Sequence, residues 1–178
     1  DFDPLTGNLW DTENGPDYGD EINLVEPGFN SGWKKIHGIW YVGGTLAKNG
    51  IAPAAPKDLV DFVNKGTYSS PELTWDLSVA PTALKFLDTQ KLGSEYKNNI
   101  LVGDINFGNI YYFKLNQDRE SLDLGKGLTD KIAQTEEELS DVVFGHGFGG
   151  ITDLEVGPDG FLYVLVYDKN DGRIYRIH

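Results

Sequence analysis

The 178 residues carry 15 Lys and Arg against 28 Asp and Glu, and the formal charge of -13 speaks against nucleic acid and anionic membrane as partners. With 39% apolar residues, 12% aromatics and 22 glycines, the chain is too apolar for disorder and too glycine-rich for a helical bundle, which leaves an all-β domain. There is no Cys, so disulfides and thiolate chemistry are excluded, and the length suits one domain. The chain has no Met, begins Asp1-Phe2-Asp3-Pro4 and shows no charged-then-apolar leader or bilayer-length apolar run; it reads as a mature or trimmed piece.

In chain order, Asp3-Pro4-Leu5-Thr6-Gly7-Asn8-Leu9-Trp10 is a turn running into a strand. Asp11, Glu13, Asp17, Asp20 and Glu21 follow, interrupted by Gly15, Pro16 and Gly19. Hard oxygen ligands on a sharply turning loop are what a Ca²⁺ site needs, although a solvated acidic turn has the same composition. No His or Cys lies near, which sets zinc and copper aside. Residues 56–64, with Leu59, Val60, Phe62 and Val63 behind Pro56, predict a short helix. Two strands are predicted over residues 73–81 and 83–87, and two more on either side of Asn106-Phe107-Gly108-Asn109. A helix is predicted over residues 129–143, where Thr135 and Glu138 have capping-box spacing and Glu136-Glu137-Glu138 reads as a solvated face.

The stretch 151–178 gives the clearest pattern. Apolar runs around Leu154, Phe161-Leu162-Tyr163-Val164-Leu165-Val166 and Ile174-Tyr175 are separated by Asp159-Gly160 and Asp171-Gly172, the signature of an antiparallel meander. The phrase Gly157-Pro158-Asp159-Gly160-Phe161-Leu162-Tyr163 parallels the opening turn and strand, and residues 98–115 give a looser copy. Repeats of turn, apolar strand, turn and strand predict a β-propeller. At roughly 40–50 residues per blade the chain holds three or four.

Other motifs are set aside on context. Gly145-His146-Gly147-Phe148-Gly149-Gly150 matches the dinucleotide fingerprint by letter but runs into a strand, not a helix. Asp168-Lys169-Asn170-Asp171-Gly172 lacks the late Glu and the flanking helices of an EF-hand. His37, His146 and His178 have no metal-like spacing, and no Ser sits in a nucleophile elbow.

Gly7-Asn8-Leu9-Trp10, Glu13-Asn14-Gly15-Pro16, Gly19-Asp20-Glu21-Ile22-Asn23 and Pro27-Gly28-Phe29-Asn30-Ser31-Gly32-Trp33 together resemble the glucose/sorbosone dehydrogenase family, the soluble sugar dehydrogenases that use pyrroloquinoline quinone (PQQ). The resemblance continues through Ser78-Val79-Ala80-Pro81 and the final Gly157-Pro158-Asp159-Gly160. It implies a six-bladed propeller, of which this chain is the C-terminal portion with about three blades, and an aldose-oxidising activity dependent on PQQ and Ca²⁺. It implies that the carbonyls of Gly15 and Pro16 hold the PQQ-associated Ca²⁺, that Glu21 and the Ser31 carbonyl hold a structural Ca²⁺, and that Trp75 and Ser78 line the cofactor pocket. The family's base, a His, lies upstream, so no catalytic residue is assigned to this chain.

The sequence also departs from that pattern. Asn106, a further pocket position, stands where PQQ-binding members have Lys, and Gly150-Ile151-Thr152-Asp153 stands where they have Arg-x-Arg-Asp. The departures remove cations that would meet the carboxylates of PQQ and predict weak quinone binding. Two other functions remain open: a non-catalytic propeller that binds a carbohydrate or protein, and a Ca²⁺-dependent lactonase built on Glu13, Asp20 and Asn23. An isolated part of a propeller is expected to pair with its missing half or a second copy. Periplasmic or extracellular location follows from the resemblance alone.

Overall fold

Leu9–Glu13 (β1) and Asp20–Val25 (β2) form an antiparallel hairpin in which Trp10 faces Leu24 and Glu13 faces Glu21. Strand alternation puts Trp10, Ile22 and Leu24 on one side and Asp11, Glu13, Glu21 and Asn23 on the other. The structure, a computed structural model, describes residues 1–42, 59 and 62–178. Phe29–Asn30 (β3), Ile36–His37 (β4) and Trp40–Tyr41 (β5) follow the hairpin; β4 pairs with β5, and β3 pairs in parallel with Thr67–Tyr68 (β6).

Leu73–Trp75 (β7) extends the first sheet beside β2. Pro81–Phe86 (β8), Ile100–Asp104 (β9) and Ile110–Phe113 (β10) form the second meander. Ile132–Ala133 (β11) then returns to the edge of the first sheet, parallel to β7, and Val143–Gly145 (β12) closes the second beside β10. Gly150–Val156 (β13), Leu162–Tyr167 (β14) and Arg173–Ile177 (β15) form the third sheet. The leading strand of the second sheet, β8, packs beside both β1 and β13, so the sheets stand side by side as propeller blades.

Two cores lie between the three blades. Trp10, Ile22, Leu73 and Trp75 meet Phe86, Ile100, Val102, Tyr111 and Phe113 in the first. Ala83, Leu101 and Ile110 meet Ile151, Leu154, Leu162, Val164 and Val166 in the second. Alternation along β9 sends Ile100 and Val102 one way and Leu101 the other, so the middle blade is apolar on both faces. Each fully buried side chain of this size contributes about 1.5–3 kcal/mol. The third blade keeps one face open: Leu165, Tyr167 and Ile174 are 42%, 59% and 68% exposed, and Leu165 lies directly opposite Ile174.

The C-terminal meander forms as expected. The long strand over residues 73–81 does not: β7 stops at Trp75, and Ala80 takes a left-handed φ of 53° before β8 begins. The helix over residues 129–143 shrinks to one turn, Glu136–Leu139 (α1), with the Thr135/Glu138 capping box in place. Lys131 at φ 63° and the pairing of β11 with β7 take the preceding residues out of helical geometry. The helix expected over residues 56–64 falls largely outside the described residues, and Phe62, Val63 and Asn64 at its end have φ of 49°, 64° and 59°.

Candidate functional site

The five carboxylates expected on one loop are divided by the β1–β2 hairpin. Only Asp17 sits in the connecting turn; Asp20 faces the second blade with Trp75, and Asp11, Glu13 and Glu21 face the opposite way. The side chains of Asp20 and of Glu13 and Asn23 therefore do not converge, and the carboxylate set of a lactonase is not assembled.

Asp20 is wholly buried and organises the turn. Its Oδ1 accepts the Gly15 N–H at 2.8 Å, and its Oδ2 accepts the Ala80 N–H at 2.7 Å and the Ser78 hydroxyl at 3.0 Å. Asn106 completes the group, its Nδ2 donating to the Ser78 carbonyl at 3.2 Å and its N–H to the Val79 carbonyl at 3.3 Å. Ala80 is held in its left-handed conformation from both ends, since its carbonyl also accepts the Ile105 N–H at 3.1 Å. Gly15 has no room for a side chain: a Cβ would stand 1.8 Å from the Tyr18 carbonyl oxygen. Among the described residues no backbone N–H donates to the carbonyl of Gly15 or Pro16. Three of the expected residues, Gly15, Ser78 and Asn106, are thus joined through Asp20, with Pro16 exposed beside them.

Trp75 does not join this network. It is fully buried, with its ring 5.8 Å from Tyr111 and 6.3 Å from Phe113, beneath a cavity of about 620 Å³ between the first two blades.

The opposite face of the hairpin carries the second expected group. Glu21 is buried; Oε1 accepts the Gly38 N–H at 2.7 Å and Oε2 accepts Asn23 Nδ2 at 3.1 Å. Burial pushes its carboxyl up to about 8, against the bonds from Asn23 and Gly38 and with help from neighbouring Glu13 and Asp11. Burial also raises Glu13 and Asp11; a bond from the Ser31 side chain opposes the shift at Glu13, and one from Asn23 opposes it at Asp11. The Ser31 side chain thus meets Glu13, which lies opposite Glu21 across the hairpin. Asp11 Oδ1 and Asn23 Oδ1 are buried without a hydrogen-bond partner. Among the described residues no three His, Asp or Glu side chains close into a metal cage, so any ion here would need neutral oxygens such as Asn23 Oδ1 as well. Burial disfavours the charged form of all three carboxyls, most strongly at Glu21.

Sequence reasoning missed Asp20 as the organiser and Asp11 and Asn23 as members of the second group. Their signal is the two-residue alternation within 11–13 and 21–23, which is visible once the segment is read as a hairpin.

Gly150 opens β13, and the Thr152 hydroxyl donates to the Leu165 carbonyl at 3.3 Å. All three arginines are engaged elsewhere: Arg119 with buried Asp3, Arg173 with Asp171, and Arg176 with Asp159.

Three consecutive sheets packed side by side, built mainly from antiparallel strands, define a β-propeller. The chain belongs to the glucose/sorbosone dehydrogenase family, whose model matches residues 1–176. It is 28% identical to the aldose sugar dehydrogenase YliI of Escherichia coli over 177 residues, 99% of this chain and 40% of that protein. The apo structure of the soluble aldose sugar dehydrogenase from Escherichia coli superposes with a TM-score of 0.62 at 25% identity, covering 99% of this chain and 42% of that one. The PQQ-bound aldose sugar dehydrogenase from Streptomyces coelicolor shares the fold, with a TM-score of 0.59 at 15% identity over 97% of this chain and 40% of that one. The chain spans 35% and 40% of the length of the curated relatives it matches. Among the described residues no helix is long and apolar enough to cross a membrane.

Proposed function

We propose that this chain forms the calcium-holding part of the cofactor face in an aldose-oxidising dehydrogenase. The supporting observation is the Asp20 network, which fixes the Gly15–Pro16 turn against Ser78 and Asn106 and leaves two adjacent main-chain oxygens untaken. Ca²⁺ favours such carbonyl ligands, and a bound divalent ion polarises an oxygen of a substrate or cofactor as a Lewis acid. A second Ca²⁺ on Glu21, Asn23 and the Ser31 carbonyl would neutralise the buried carboxyls. Periplasmic or extracellular placement goes with this reading.

PQQ is the cofactor that the family implies, and here the residues fit only in part. The turn suits its calcium; Asn106, Gly150 and Thr152 supply no cation for its carboxylates, and no step is derived through it. Replacing Asn106 with Lys is expected to tighten PQQ binding about tenfold or more, the worth of one charge-assisted bond. Fluorescence titration of both chains with PQQ and Ca²⁺ checks this. Tight wild-type binding that N106K leaves unchanged would show that the carboxylates are met elsewhere. Turnover of an aldose by the full-length protein with Ca²⁺, PQQ and an artificial acceptor tests the activity; none at any cofactor level ends the reading.

The same three positions favour one second reading, a propeller that keeps the scaffold and the metal but binds its ligand without oxidising it. The open face of the third blade belongs to either reading. A further blade of the whole protein, or a second copy of this chain, is proposed to cover Leu165, Tyr167 and Ile174. Light scattering is expected to show association that Leu165→Lys with Ile174→Lys weakens; a monodisperse monomer at high concentration contradicts it.

A further inference from the structure

Among the described residues Asn14 is the one asparagine followed by glycine. Such a pair is prone to a spontaneous reaction in which the glycine nitrogen attacks the carbonyl carbon of the asparagine side chain. Glycine has no Cβ to hinder that approach. Asn14 is exposed in the connection between β1 and β2. The carboxamides of Asn23, Asn99, Asn106, Asn109 and Asn116 are in contrast tied by hydrogen bonds, to Glu21, Tyr112, the Ser78 carbonyl, Tyr111 and Ser121.

The attacking nitrogen, however, is held. Gly15 N–H donates to Asp20 Oδ1 at 2.8 Å, and Asp20 is wholly buried. The carboxylate cannot turn away, because its Oδ2 accepts the Ala80 N–H at 2.7 Å and the Ser78 hydroxyl at 3.0 Å. Attack requires the nitrogen to give up its proton, and negative charge forming 2.8 Å from a desolvated carboxylate is strongly disfavoured. The Tyr18 carbonyl oxygen packs on the same glycine, 1.8 Å from where a Cβ would stand, and leaves the nitrogen little room to swing toward the Asn14 side chain. We propose that Asn14 is a latent deamidation site that Asp20 keeps closed in the folded chain. When the turn opens, Gly15 N bonds to Asn14 Cγ, the Cγ–Nδ2 bond breaks, and Nδ2 leaves as ammonia with the Gly15 proton. Water then opens the succinimide at either carbonyl and leaves an aspartate or an isoaspartate at position 14. The isoaspartate puts an extra methylene into the main chain directly before Gly15, a change that refolding does not reverse. No ion or quinone takes part, so this chemistry is independent of the calcium and redox readings.

Peptide mapping by mass spectrometry tests it on the full 178-residue chain held at mildly alkaline pH, with the fragment that contains Asn14 resolved from the one that contains Asn49-Gly50. A synthetic peptide of residues 9–19, which lacks Asp20, gives the unrestrained rate. Folded wild type is expected to form aspartate and isoaspartate at position 14 about tenfold or more slowly than the peptide, the worth of one hydrogen bond to a charged acceptor. Asp20→Ala is expected to remove most of that protection. Asp20→Asn, which keeps an acceptor oxygen without the charge, is expected to remove part of it and serves if Asp20→Ala fails to fold, as judged by near-ultraviolet circular dichroism. If neither variant folds, hydrogen exchange at the Gly15 amide of wild type decides: exchange about tenfold or more slower than in the peptide is expected, and exchange at the peptide's rate counts against the lock. A peptide that stays intact at position 14, a folded wild type that reacts as fast as the peptide, or a folded Asp20 variant that reacts no faster than wild type overturns the proposal.

Discussion

Replacing Asp20 with Ala is expected to cost the fold about 3 kcal/mol or more, because three donors lose their acceptor together. The carboxylate is wholly buried and takes three donors, from Gly15, Ala80 and Ser78. Its loss strands two backbone N–H groups and a hydroxyl, each left unsatisfied at about 1–3 kcal/mol. It also frees Ala80 from one of the two bonds that hold its left-handed conformation. Ser78→Ala removes one donor and leaves the carboxylate on the other two, so a loss near 1 kcal/mol is expected there. Urea denaturation of the two variants gives the comparison. A D20A loss under about 1 kcal/mol would mean that the turn is held by something other than this network.

The second large effect concerns calcium and Glu21. A carboxyl pushed from 4.5 in the unfolded chain to about 8 in the folded one favours the protonated native state. The stability it contributes is complete below about pH 4.5 and disappears progressively as pH rises to about 8. The metal-free chain is therefore expected to lose stability through Glu21 across that window, and added Ca²⁺ to restore it by taking the proton's place. Saturating Ca²⁺ at a hundred times its Kd adds about 2.7 kcal/mol. Glu21→Gln should leave the metal-free chain nearly as stable at neutral pH, since a neutral amide replaces a mostly neutral acid, and its N–H₂ can meet the unpartnered Asn23 Oδ1. The same variant should lose the share of the calcium-induced rise in melting temperature that comes from this site, the share from the Gly15–Pro16 turn remaining. A rise that survives Glu21→Gln in full places the ion elsewhere.

The propeller was legible because its strands carry their own punctuation. Asp159-Gly160 and Asp171-Gly172 fix the last meander by turn chemistry that no tertiary contact overrides. Where long-range pairing decides, local pattern failed: Ile132 and Ala133 look helical in their neighbourhood but are drawn to β7, over fifty residues earlier in the chain. The site shows the same division. Gly15 and Pro16 were legible as a sharp turn among carboxylates, while the division of those carboxylates between two faces depends on the hairpin register. Trp75 and Ser78 were both expected to line one pocket; the strand ends at Trp75, Asp76 and Leu77 lie between the two, and the indole is buried in the interblade core. Asp20 could not be told from its acidic neighbours, because its role depends on Ser78 and Ala80, which only the fold brings near.

The central claim is that the Gly15–Pro16 turn offers its main-chain oxygens to a hard divalent ion. A crystal structure of the chain grown with millimolar CaCl₂ tests it most directly. An ion is expected at about 2.3–2.6 Å from the Gly15 and Pro16 carbonyl oxygens, with the Asp20 bonds to Gly15, Ser78 and Ala80 intact. Calcium found only elsewhere, with both carbonyls bonded to protein or water, would contradict it.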